Sequence, residues 1–221
     1  MTATELKLDY FKVYDVENRA AKGSVALKGQ FDRLAQKMQL AFLDFFANPV
    51  SKNGEPLYDK DAHLAWYRAT QPPEPLRRVI LENQFGKLEI VIGTGYGLLV
   101  PTEKVERGSA LSKMLDHYKV YRVAYVGQVP TAHLQLKDQF GADEVTLGPP
   151  RFFAVPVNKK HGTKEYPINN KEAHLLIFSI TPKDKKKELK LRNQFANGLA
   201  VSVVRSLMLA APSLKREWKR V

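Results

Sequence analysis

Apolar and polar positions alternate with a period of two over short stretches, and the same stretch recurs four times along the chain. Val25 and Leu27, Val79 and Leu81, Leu134 and Leu136, and Leu189 and Leu191 point one way, while Lys28, Glu82, Lys137 and Arg192 point the other. This alternation predicts a half-buried β-strand at each place. Each stretch runs into the signature Leu-x-x-Gln-Phe, which ends at Phe31, Phe85, Phe140 and Phe195. The phenylalanines lie 54, 55 and 55 residues apart, so the chain is built from four copies of one unit.

Two further landmarks accompany every copy. Upstream lies an aromatic, mostly alternating segment, at residues 9–14, 63–67, 116–121 and 174–178; downstream, an apolar run ends in Pro49, Pro101, Pro156 or Pro212. Gly29, Asn83, Asp138 and Asn193 stand just before Gln-Phe. These residue types tolerate positive φ and predict a bulge or corner, with the phenylalanine turned into the core and the glutamine capping backbone groups. Gly93-Thr94-Gly95 and Gly148-Pro149-Pro150 interrupt the third element and predict a turn between two short strands. Residues 32–46 and 198–211 fit a pure strand least well.

The first and third copies share Asp-x-x-Lys-Val-Tyr, beginning at Asp9 and Asp116, and Pro-Val-x-Lys, beginning at Pro49 and Pro156. The second and fourth share Ala-His-Leu. The larger unit is therefore a pair of copies. The pattern predicts an all-β protein with two homologous domains, 1–110 and 111–221, joined at residues 107–110, each a β-barrel or β-sandwich of two repeats. A four-bladed, propeller-like closure is the alternative.

Composition narrows the function. The chain has 221 residues and no cysteine, which excludes disulfides, thiolate metal sites and cysteine catalysis. No apolar run approaches the ~20 residues of a membrane span, and the N-terminal residues lack a basic-then-apolar signal pattern. A cytoplasmic protein with no membrane span is expected. The net charge is +12. Residues 1–110 hold 15 Lys+Arg against 14 Asp+Glu, whereas residues 111–221 hold 20 against 9. The two halves have diverged mainly in electrostatics.

The combined pattern, an aromatic strand with tyrosine, then Asn/Asp-Gln-Phe-Gly, then Leu-x-x-Pro, resembles an uncharacterised bacterial domain family of tandem β-repeats whose members are often secreted. The resemblance covers most of the chain. It implies cysteines at the places held here by Val13, Trp66, Val120 and Ile177, and by Ala47, Leu99, Ala154 and Ala210. All eight are apolar, which implies a disulfide scaffold converted to one held by packing. The family brings no catalytic residues.

Candidate chemistry is sparse. His63, His117 and His174 occupy nearly equivalent positions, with Tyr10 at the fourth, but equivalent positions in different copies do not converge, and they read as strand-entry histidines bonded to backbone. Gly93-x-Gly95-x-Gly97 precedes a strand and not a helix, so it reads as a turn and not a phosphate loop. No catalytic residue, metal ligand or cofactor is assigned. Three basic clusters remain: Lys159, Lys160, His161 and Lys164 on a loop of the third copy; Lys183, Lys185, Lys186, Lys187, Lys190 and Arg192 on a loop leading into a strand; and Lys215, Arg216, Lys219 and Arg220 around Trp218. Brought together, they would neutralise several phosphates, with Trp218 and Tyr166 available to stack on bases. The expectation is a non-enzymatic binding or scaffold protein, its basic half contacting nucleic acid or an acidic protein and residues 1–110 facing a protein partner. A self-associating structural component and an enzyme of unrecognised class are the alternatives.

Overall fold

The structure, a computed structural model, describes residues 6–105 and 110–221. These form β1 (Tyr10–Ala20), β2 (Ser24–Gly29), β3 (Gln36–Lys52), β4 (His63–Thr70), β5 (Arg77–Asn83), β6 (Gly86–Lys104), β7 (His117–Val126), β8 (His133–Asp138), β9 (Gly141–His161), β10 (Lys164–Tyr166), β11 (His174–Asn193) and β12 (Ala196–Arg220). The all-β expectation holds. Residues 32–46 and 198–211, the stretches least like strand in sequence, lie largely in β3 and β12.

The strands close on themselves. β1 pairs with β3, β3 with β4, β4 with β6, β6 with β7, β7 with β9, β9 with β11, β11 with β12, and β12 with β1, all antiparallel. Each copy thus gives the ring its aromatic segment and its proline-ending strand. The Leu-x-x-Gln-Phe segment folds back as a hairpin on the first half of its own proline-ending strand. Its other edge pairs with the copy two places away: β2 with the end of β9, β5 with the end of β12, β8 with the end of β3, and the end of β11 with the end of β6. The two halves therefore do not close as separate barrels; their strands share one sheet, and the expected joint at 107–110 falls mostly on residues outside those described.

Three apolar layers follow from the period-two pattern. One cluster takes residues from all eight ring strands and fills the ring, including Phe11, Ala47, Leu64, Trp66, Leu99, Val120, Ala154, Ile177 and Ala210. The opposite faces of the ring strands are covered by hairpins, those of copies two and three on one side and those of copies one and four on the other. Val25, Leu27, Val79, Leu81, Leu134, Leu136, Leu189 and Leu191 all point inward beneath these hairpins. The eight positions where the resemblance placed cysteine all belong to the inner cluster. They are also direct cross-strand partners: Val13 opposite Ala47, Trp66 opposite Leu99, Val120 opposite Ala154, and Ile177 opposite Ala210.

Two local expectations are corrected. The glycine clusters at 93–97 and 148–150 are not turns; β6 and β9 run straight through them, with register shifts on the neighbouring strands. The glycines serve close approach: a Cβ on Gly97 would lie 2.5 Å from Trp66 Nε1 and 2.7 Å from the Tyr67 carbonyl oxygen, and one on Gly148 would lie 2.5 Å from Ser179 Oγ. The residue before Gln-Phe does not adopt positive φ either. Asn83, Asp138 and Asn193 instead accept the N–H of the phenylalanine two residues on, at 2.8–2.9 Å, and the positive φ falls on Gly86 and Gly141 just after it.

Candidate functional site

The Gln-Phe pair stitches copies together. Each phenylalanine packs edge-on against the aromatic strand two copies away: Phe31 on Tyr121, Phe85 on Phe178, Phe140 on Tyr14 and Phe195 on Tyr67, with ring centroids 5.2–5.8 Å apart. The glutamines reach the preceding copy around the ring. Gln84 accepts from Tyr10, Gln139 accepts from Lys104, Gln194 meets His117, and Gln30 meets His174. The expected backbone capping is thus mostly replaced by side-chain pairing; Gln139 alone among these contacts also donates to a backbone oxygen, that of Lys60.

A lysine lies three residues beyond the proline in all four copies: Lys52, Lys104, Lys159 and Lys215. The first three are buried and Lys215 is half-buried. The signal was in the sequence, as Pro-x-x-Lys four times over. Lys52 and Lys159 lie against the residue that opens their own copy's first strand, Tyr10 and His117, and the charge of Lys215 acts on His174. Lys52 pairs with Glu55 at 2.5 Å over the Tyr10 ring. Lys104 lies near Asn48 Oδ1, at 3.3 Å, and faces the rings of Phe46 and Phe140. Lys159 lies 2.8 Å from His117 Nε2, 3.9 Å from the Tyr166 ring centroid and 5.5 Å from that of Phe195.

Burial controls the ionisation here. It pushes Lys159 down to about 7 and, with the nearby Lys159 charge, takes His117 down to about 3. Nε2 of His117 is approached by Lys159 and Gln194 together, so it accepts and the ring proton sits on Nδ1. His174, buried, falls to about 4 although its Nδ1 lies 2.9 Å from the Glu172 carbonyl oxygen. That backbone contact is the arrangement expected of strand-entry histidines; His117 departs from it.

Two more buried lysines sit on the aromatic strands. Lys12 pairs with Asp143, which also holds Lys185 at 3.0 Å; burial opposes ionisation of Asp143, but these two ammonium groups hold it below the usual carboxylate range. Lys119 lies 3.2 Å from Asp32 and 2.5 Å from Glu74. Asp9 and Asp116, the other residues shared by copies one and three, are loop anchors. Each accepts two consecutive backbone N–H groups, from Tyr58 and Asp59 and from Asn169 and Asn170, while burial holds both carboxyls above their ordinary value.

The basic clusters are placed differently from expectation. None of them is a free loop: Lys183, Lys185, Lys186, Lys187, Lys190 and Arg192 belong to β11, Lys159 and Lys160 to β9, Lys164 to β10, and Lys215, Arg216, Lys219 and Arg220 to β12. Several have acidic partners. Lys160 pairs with Glu165, Lys185 with Asp143, Arg192 with Glu103 and Arg216 with Glu82. Lys186 and Lys187 remain exposed on β11. The third-copy and fourth-copy clusters meet where Lys164, Tyr166, His117, Arg192 and Gln194 line a surface cavity of about 520 Å³. The last cluster lies elsewhere. It pairs with β5, and Trp218 packs edge-on against Phe31. Lys215 stands ten strand positions beyond Arg205, the partner of Asp184, or ~30 Å of strand contour.

A family model described as a repeat of unknown function, DUF7450, matches residues 63–210. The chain belongs to that family. The match opens at the first residue of β4 and closes in β12, so it takes in the second and third copies and most of the fourth. Comparison with curated proteins and with solved structures gives no match.

Proposed function

We propose that this repeat protein is a non-enzymatic binding module whose fourth copy presents a cationic strand to an acidic macromolecule, with nucleic acid the favoured partner. One observation carries the reading. Between the aromatic and Gln-Phe segments, copies two and three break into linkers, residues 71–76 and 127–132, that contain prolines and no lysine. In copy four the same interval stays in strand as β11 and carries Lys183, Lys185, Lys186 and Lys187. The strand pairing is irregular between Asp184 and Lys187, where Lys186 and Lys187 are both exposed and free to meet a phosphate backbone while Lys185 pairs with Asp143. Lysine outnumbers arginine 14 to 6 in residues 111–221, which favours diffuse phosphate contact over base reading. Self-association through sheet edges has less support, because the ring of eight strands closes and the hairpins are paired on both sides.

The test is fluorescence anisotropy of the full chain with labelled single-stranded and duplex nucleic acid at low and physiological salt. Affinity is expected to fall about tenfold or more across that range, as for release of several counterions. Lys186→Glu with Lys187→Glu should weaken binding about tenfold further. Absence of binding at low salt, or a double variant that binds as well as the parent, sinks this reading.

A further inference from the structure

Copies one and three each bury a lysine at the same place on the aromatic strand, Lys12 on β1 and Lys119 on β7, within the shared Asp-x-x-Lys-Val-Tyr. The two meet different company. Lys12 pairs with Asp143, and the other charged group on that carboxylate is a second ammonium, Lys185. Lys119 meets two carboxylates: its Nζ lies 3.2 Å from Asp32 Oδ1 and 2.5 Å from Glu74 Oε1. The side chains of Lys119, Asp32 and Glu74 are 0%, 2% and 9% exposed, so the three groups meet away from water.

Each member is held from several sides. The stem of Lys119 runs against β6, where a Cβ on Gly95 would lie 2.7 Å from Lys119 Cε, and its amine faces the Tyr121 ring at 5.2 Å from the centroid. The glycine makes room for the lysine. Asp32, the residue after Gln30-Phe31, accepts the Gly29 N–H on Oδ2 at 2.9 Å and leaves Oδ1 to the amine. Glu74 donates its own N–H to Thr94 Oγ1 at 3.0 Å. Its Oε2 accepts from Arg77 at 2.9 Å, and its Oε1 accepts from Gln71 and Lys119. Amine and carboxylate are thereby fixed at the separation from which bonds form, ~3–3.5 Å.

We infer that Lys119 and Asp32 condense into an intramolecular isopeptide bond, with Glu74 carrying the proton between the incoming nitrogen and the departing oxygen. The step balances within the triad. An ammonium proton passes to Asp32, which leaves an uncharged amine beside a carboxylic acid, and the Nζ electron pair forms a bond to Asp32 Cγ. Glu74 takes the surplus proton from nitrogen and delivers it to the hydroxyl; the Cγ–O bond breaks and one water leaves. Glu74 ends as it began, and no co-reactant is consumed. In bulk water, hydration of the separate ions opposes this condensation. Burial removes that hydration, so exchange of the ion pair for a neutral amide is favoured. Lys12 and Asp143 are joined by a lysine in place of an acid, lack this proton carrier and stay an ion pair. The bond ties the corner of copy one to the aromatic strand of copy three, a covalent stitch in a chain without cysteine. It is independent of the cationic strand of β11.

The experiment is intact-mass spectrometry of the full chain in denaturant, followed by trypsin digestion. The chain is expected about 18 Da below the mass its sequence requires, the mass of one water. Trypsin should fail to cut after Lys119 and should release residues 29–33 joined to residues 114–122. Glu74→Gln keeps the shape of the side chain and removes the proton carrier; it should fold with the same far-UV circular dichroism, show the full sequence mass and yield the two peptides separately. A parent chain of full sequence mass overturns the proposal. So does a lost water that maps to another pair of residues, or one that persists in Glu74→Gln.

Discussion

At the residue scale, the informative groups are ionisable side chains held away from water by their neighbours. His117 and His174 stay neutral in the folded chain down to about 3 and about 4, whereas in the unfolded chain they take up protons below ~6.5. Their contribution to stability is therefore complete above ~6.5 and is lost as the pH falls through the folded values. Denaturation midpoints should drop between about pH 6.5 and pH 4, and His174→Gln should remove roughly half of that slope. Lys159 acts in a higher window. Its folded value of about 7 lies below the ~10.4 of an unfolded lysine, so stability rises as the pH goes from about 7 toward 10; burial lowers Lys215 as well, so Lys159→Met should remove most of that rise and leave the smaller part due to Lys215. A variant series that leaves either slope untouched would contradict this account. Little of it was legible beforehand. Charge is visible in a sequence and burial is not, so nothing beside these lysines in the chain marks them as buried; the fourfold Pro-x-x-Lys spacing is the available signal.

At the scale of elements, the alternating pattern translated directly into strands because side-chain direction in a strand depends only on parity. The apolar partners Val13 and Ala47 lie opposite each other on adjacent strands inside the ring. Directly opposed residues of antiparallel strands have Cα atoms ~4.5–5.5 Å apart, within the range a disulfide spans. Val13→Cys with Ala47→Cys should oxidise to an intramolecular bond, detectable as a loss of about two mass units and of free thiol. The oxidised form should exceed its reduced form by about 3–4 kcal/mol in the chain-entropy model. Persistent free thiols under oxidising conditions would refute the register. The glycine clusters at 93–97 and 148–150 lie inside strands for a physical reason the local sequence does not show. Glycine marks both turns and places where another backbone or ring comes close, and the neighbour that decides between them, Trp66 for Gly97, is thirty-one residues away in the chain.

At the scale of the whole molecule, closure distributes every copy's contacts among the other three. β1 and β12 pair, as do β6 and β7, so each half supplies two seams of the other. Residues 1–110 and 111–221 expressed separately should each lack a cooperative thermal transition, and coexpressed they should copurify as one folded complex. A half that melts cooperatively alone would show that it closes by itself. The same geometry sets limits on the electrostatics. The +11 of residues 111–221 is spread along β9, β10, β11 and the middle and last end of β12, and part of it is neutralised by Glu82 and Glu103 from the other half.

The sequence by itself determined the four copies, their strand character and the inward residues, because these depend on parity and period, which are local. It also held the charge asymmetry, which is a count. The tertiary structure decided how the copies close, which lysines are buried and what each one meets, a carboxylate for Lys12 and Lys119 but a histidine and two rings for Lys159. Those outcomes rest on contacts between copies one and two places apart around the ring. Pairs such as Phe31 with Tyr121, or Lys12 with Asp143, are set by sheet closure and leave no mark on the residues beside them in the chain.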